Sequence, residues 1–208
     1  NLKESKKYYR MALSGHWSDI KIYNNLGVIE DSEGNLKEAE LNYKEVLKSL
    51  PHASFVYNNL GALYLKQGQW EKADKFFRQA LVYDPLMLEP RRGLATIFLN
   101  HSDYRKAIGL CLINLGIVSD DTDTLFLLLD IYLQKRDFVN IKKYAYRMIT
   151  FETDPEVLTK LGIGMARNNV PEVAMDCFIK AVRLAPDYKE AYFAAGTLLA
   201  NLGKYDEA

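Results

Sequence analysis

One spacing constrains this chain more than any other feature: an ordered set of residues that returns about every 34 positions. It is sharpest from Tyr57 to Pro85, where Tyr57, Leu60, Gly61, Tyr64, Gly68, Trp70, Ala73, Phe77, Ala80, Leu81 and Pro85 define the pattern. Tyr57, Leu60, Leu63 and Tyr64 fall at helical spacing and give one helix an apolar stripe. Gly68 can adopt the left-handed conformation that ends a helix at little cost. Ala73, Phe77, Ala80 and Leu81 stripe a second helix, and Pro85 follows its end. Small residues at 61, 73 and 80 let the two helices approach, and Phe77 fills the space between them. Such a hairpin cannot bury both of its apolar faces alone, so copies are expected on either side.

The copies are present. Tyr23, Leu26, Gly27, Gly34, Ala39, Tyr43, Leu47 and Pro51 repeat the pattern upstream. Leu94, Ala95, Phe98, Tyr104, Ala107 and Leu115 carry it more weakly downstream, and Leu128, Tyr132, Phe138 and Ala145 mark a degenerate copy. After a contraction of one residue, Leu161, Gly162, Met165, Ala174, Phe178, Ala181 and Pro186 restore it, and Tyr192, Gly196, Leu199, Gly203, Tyr205 and Ala208 begin another. The spacing predicts helix pairs at 20–32 and 36–49, 54–66 and 70–82, 88–100 and 104–116, 122–134 and 138–150, and 155–167 and 171–184. A further helix follows at 188–201, with another starting at 205. Tyr9, Ala12 and Leu13 match the second-helix stripe, so residues 1–14 read as the second helix of a repeat whose first helix precedes the chain. Gly15 to Ser18 form the first turn, with Trp17 where later repeats have proline.

The pattern resembles the tetratricopeptide repeat, a 34-residue unit marked by an aromatic residue, Leu-Gly and Tyr, then Ala, Phe and Pro. The resemblance covers nearly the whole chain. It implies an all-α fold: an α-solenoid, or right-handed superhelix, of antiparallel helix pairs. One array over 1–208 is expected, with a truncated repeat at 1–19, repeats at 20–53, 54–87 and 88–121, a degenerate repeat at 122–154, a repeat at 155–188 and a truncated one at 189–208. With no polar capping helix at either end, the chain is expected to be a piece of a longer repeat protein. In the degenerate copy Leu129 replaces the close-approach Gly and Ala145 replaces the Phe, an exchange of volume that could keep that pair packed.

In superhelices of this kind the first helix of each pair lines the concave face. The facing positions here include Asn24, Asn25, Asn58, Asn59, Arg92, Phe126 and Phe193. An Asn side chain offers both a donor and an acceptor, matching a peptide unit. Asn25 and Asn59 thereby resemble the asparagine ladder in the superhelix of O-linked N-acetylglucosamine transferases, although Gly93, Leu127, Lys160 and Ala194 interrupt it. The plainer reading is a polar filler of an exposed helix face. Asn24 and Val28 stand where a chaperone-binding carboxylate clamp would need Lys and Asn, so that ligand class is not expected. Phe126, Leu127, Leu133, Ile163 and Phe193 predict an apolar later groove.

Composition narrows the function. The formal net charge is zero, which argues against nucleic acid, and no apolar run is long enough to insert in a membrane. Cys111 and Cys177 fall on inward helix positions and read as packed free thiols, which favours a cytoplasmic setting. His16, His52 and His101 lack metal-ligand spacing, and there is no phosphate-cradling glycine loop, so neither an enzyme nor a cofactor or metal is expected. The expected function is a protein–protein interaction module, a scaffold or adaptor that binds a partner's peptide or helix in its groove. The alternatives are the substrate-recruiting arm of a larger enzyme such as a glycosyltransferase, or a scaffold that self-associates through uncapped terminal repeats.

Overall fold

The computed structural model describes residues 2–14 and 20–203. Among these residues there are twelve α-helices and no strand. They are α1 (Leu2–Ser14), α2 (Ile20–Ser32), α3 (Leu36–Ser49), α4 (Ser54–Lys66), α5 (Trp70–Tyr83), α6 (Glu89–Asn100), α7 (Tyr104–Ile117), α8 (Thr122–Gln134), α9 (Phe138–Phe151), α10 (Pro155–Arg167), α11 (Pro171–Leu184) and α12 (Lys189–Asn201). Each expected helix within the described residues is found to within a residue or so at its ends. The turn at Trp17 and the helix start at Tyr205 lie outside them. The chain divides into two compact units, residues 1–110 and 111–208.

The turns inside the pairs share one construction. Gly34, Gly68 and Gly203 have φ of 81°, 69° and 75°, and Ser102, Arg136 and Asn169 occupy the same place with φ of 58°, 55° and 60°. After Gly34, Gly68, Ser102, Arg136 and Asn169 the next residue returns its N–H to a carbonyl five positions back, as Gln69 does to Tyr64 at 2.9 Å and Asp137 to Tyr132 at 3.0 Å. This is the double-bonded helix stop that satisfies orphan carbonyls. A left-handed residue that carries a Cβ costs roughly 1–2 kcal/mol, so at Ser102, Arg136 and Asn169 the stop is held by those hydrogen bonds and by the packing of the helices it joins.

Unit 1 is built around the rings that fill its helix pairs. In its core Ala39, Tyr43, Val46, Val56, Leu60 and Leu63 pack together, and Tyr64, Ala73, Phe77, Leu94 and Ile97 form an adjoining cluster. Gly61 is required by Phe77, because a Cβ there would stand 2.6 Å from the Phe77 ring. Gly93 faces the far end of the same ring and would collide with it more closely still. Phe77 is therefore gripped between α4 and α6. Tyr43 meets Gly27, and in unit 2 Phe178 meets Gly162, in the same way.

Unit 2 departs from this scheme in α8 and α9. Leu129 and Ala145 stand at the positions of the missing Gly and Phe, and both are buried. Tyr132 stacks on Tyr144 at 5.5 Å, the arrangement that Tyr64 and Phe76 have at 5.2 Å in the α4–α5 pair. A buried polar pair, Asn114 donating to the Thr124 hydroxyl at 3.3 Å, joins α7 to α8.

Glu30 is a buried carboxylate in unit 1, 2% exposed, and it fastens α1 to α2. It accepts from Lys6 at 2.7 Å, from Arg10 at 2.9 Å and from Asn35 at 2.8 Å, and Lys6 also reaches Glu33. Burial works to raise the Glu30 carboxyl, but hydrogen bonds from Lys6 and Asn35 and the charges of Lys6 and Arg10 outweigh it, and the net displacement is below the usual 4.5. A carboxyl depressed in the folded state stabilises it fully above its unfolded value and loses that contribution as pH falls. The native chain is therefore expected to lose stability as pH drops below about 4.5. Glu30→Gln should be less stable at pH 7 and show a flatter acid limb. Urea midpoints from pH 7 to pH 3 check this, and parallel curves for the two proteins would contradict it.

Candidate functional site

The first helices of the pairs carry the candidate residues. In unit 1, α2, α4 and α6 lie side by side, and in unit 2 α10 lies beside α12. Asn24, Asn25, Asn58, Asn59 and Arg92 are all half-buried on these unit 1 helices. The Asn59 amide donates to the Asn24 side-chain oxygen at 3.4 Å, a long and weak link between α4 and α2. Asn25 donates to the Tyr9 hydroxyl at 3.0 Å, tying α2 to α1. The asparagines thus stitch helices together through their N–H groups, while the carboxamide oxygens of Asn25 and Asn59 accept nothing in these two bonds. Arg92 lies 3.7 Å from the Glu89 carboxylate one turn away on α6, which offsets part of its charge. Gly93, which interrupts the asparagine series, is fixed by the Phe77 ring. An Asn at 93 has no room.

Unit 2 contains a pocket of about 810 Å³ along α10 and α12. Ile163 and Ala166 of α10 form one wall, Phe193, Ala194 and Leu198 of α12 form the other, and Phe178 is also in the lining. Phe193 is 79% exposed, a large apolar side chain left open on the pocket wall among the described residues. Thr197, also in the lining, spends its hydroxyl on the Phe193 carbonyl at 2.7 Å. Charge sits among the lining residues as Arg167, Lys189 and Glu190. Ala194 takes the place that Gly93 has in unit 1 and lines the pocket with Phe178. Phe126, on α8, is half-buried and is not part of this pocket. Leu198 and Leu202 escaped the reading of facing positions, although the helical period places them one and two turns beyond Ala194.

The remaining reactive groups are built into the packing. Cys111 and Cys177 are buried and form no disulfide, and burial with the nearby Asp176 charge pushes Cys177 up to about 12, which leaves it a poor nucleophile. Among the described residues no three His, Cys, Asp or Glu side chains converge to hold a metal ion, and no helix is long and apolar enough to cross a membrane.

Stacked antiparallel helix pairs that present the faces of their first helices define an all-α solenoid, and such repeats serve as protein-interaction scaffolds. Tetratricopeptide repeat profiles match residues 20–51, 54–85 and 165–208, together just over half of the chain. The chain belongs to the tetratricopeptide repeat family. A crystal structure of a tetratricopeptide repeat protein from Parabacteroides merdae superposes with a TM-score of 0.69 at 18% identity, covering 95% of this chain and 78% of that one. A chain of the APC/C hetero-tetramer Cut9–Hcn1 gives 0.69 at 15% identity, over 95% of this chain and 40% of that one. YrrB, described as a TPR protein with an unusual peptide-binding site, gives 0.55 at 18% identity, over 89% of this chain and 96% of its own. No curated protein matches the sequence. Members of this family bind protein or peptide partners, and the fold is typically a non-catalytic scaffold.

Proposed function

We propose that the chain docks a peptide or helix of a partner protein on its first-helix faces, with the α10–α12 pocket of unit 2 as the principal anchor. The observation that carries this is the pocket itself: about 810 Å³ of space beside a Phe193 left 79% exposed. Large aromatic side chains that enter or line such pockets supply most of the binding energy of an interface. In unit 1 the carboxamide oxygens of Asn25 and Asn59 would accept from a ligand backbone, and Asn24, Asn58 and Arg92 would border it. The half-engaged amides make this the weaker contribution. YrrB, a protein of similar fold, is described as having a peptide-binding site, which supports a peptide as the class of ligand.

The test uses three baits: the native chain, Asn25→Ala with Asn59→Ala, and Phe193→Asp. A partner held by the first two and lost from the third is expected. Calorimetry with the purified partner should then show Phe193→Asp weakening binding by about 2 kcal/mol or more. Equal capture by all three baits would move the ligand off both faces.

A further inference from the structure

Unit 1 carries a second surface feature, built from the α3–α4 turn, α4 and α5. Five aromatic rings run in an unbroken row across the α3–α4 turn, α4 and α5. His52 lies 4.8 Å from Tyr83, Tyr83 lies 5.3 Å from Tyr57, Tyr57 lies 6.2 Å from Phe76, and Phe76 lies 5.2 Å from Tyr64. Three of them, Tyr57, Phe76 and Tyr83, line an open crevice of about 450 Å³ together with Lys72, Lys75 and Gln79. Phe76 reaches through to the α3–α4 core, so the row is anchored in well-packed structure.

The charges around the crevice do not cancel. Lys72 lies 5.1 Å over the Tyr64 ring, and Lys75 forms no ion pair among the described residues. Glu40 of α3 lies close enough for the Lys72 charge to help hold its carboxyl below the usual value. It is already engaged, accepting from the Tyr64 hydroxyl at 2.7 Å and paired with Lys44 at 2.5 Å. The lining itself holds two cations and no anion.

We infer that this crevice binds a proline-rich peptide that carries acidic residues. A polyproline helix has no internal hydrogen bonds, so its carbonyls seek donors while its flat rings lie against aromatic faces. The row of Tyr83, Tyr57 and Phe76 supplies the faces, and the Gln79 amide and the two ammonium groups supply the donors. The surplus positive charge selects acidic residues beside the prolines. A broad α-helix satisfies its own backbone and has no use for these donors. A nucleic-acid strand would need a cationic track along its backbone, and the crevice offers only two cations.

The experiment is an NMR titration of the isotope-labelled chain with four synthetic probes. These are a decapeptide of alternating Asp and Pro-Pro, its Lys counterpart, a Ser-for-Pro acidic control, and a single-stranded RNA decamer. The expected result is a saturable shift of amides at 57 and 72–83 with the acidic proline peptide alone. Lys72→Glu with Lys75→Glu should weaken it by about tenfold or more. Both lysines are exposed, so this variant retains its fold, checked by its circular dichroism. Equal binding of the Lys or Ser peptide would overturn the inference. So would shifts confined to α10 and α12, shifts produced by the RNA instead, or no shift at about 1 mM peptide.

Discussion

Phe77→Ala is expected to lower the stability of unit 1 by about 3–5 kcal/mol, the range for truncating a fully packed aromatic. The ring is 2% exposed and sits between Gly61 on α4 and Gly93 on α6. Those two glycines let the backbones close around it, so its removal leaves a void walled in part by main chain, which collapses less readily than the side chains of Tyr64, Leu94 and Ile97 that complete it. The loss also spreads along the stack, because neighbouring repeats are stabilised through their shared interface. Denaturant unfolding with a probe in unit 1 measures the effect. A loss below about 1 kcal/mol would show that α4 and α6 can close the gap and that the ring is not the wedge described. Phe77→Leu should recover part of the loss, since it restores volume without filling the space that Gly93 leaves.

That wedge also shows what a sequence can and cannot disclose. The helices, their apolar stripes and the partnership of Gly61 with Phe77 follow from the 34-residue period, because residues three and four apart share a helix face. The facing positions follow as well, since register carries them from one copy to the next: Phe193, Ile163 and Ala166 are found lining the unit 2 pocket. Gly93 is different. Counted along the period it is a gap in an asparagine series, and only the reach of Phe77 into the next repeat explains it. The asparagines themselves behave similarly. Whether Asn25 faces a ligand or the Tyr9 hydroxyl depends on a helix 16 residues away in sequence. The turns at Ser102, Arg136 and Asn169 were equally hidden, since no glycine announces their positive φ. Their stops are imposed by hydrogen bonds that form once the flanking helices are in place. The aromatic row in unit 1 is assembled from a turn and two helices, and no single stripe contains it.

The exchange in the α8–α9 pair supports a second large expected effect, best measured as a double-mutant cycle. Leu129→Gly alone should cost about 3–5 kcal/mol, combining the void left by a buried leucine with roughly 1 kcal/mol for glycine within a helix. Ala145→Phe alone should cost about 1–3 kcal/mol or more, because Ala145 is 0% exposed and a ring has nowhere to go while Leu129 remains. If the two positions trade volume, as Gly61 with Phe77 and Gly162 with Phe178 imply, the double variant rebuilds the more usual arrangement. It should then be more stable than the sum of the single losses by about 2–3 kcal/mol, a coupling within the range for residues in contact. Additive losses would mean that positions 129 and 145 do not share one space, leaving this pair with its own mode of packing. The sign of the coupling decides between a lapsed copy of the repeat that can be restored and a pair committed to a different core.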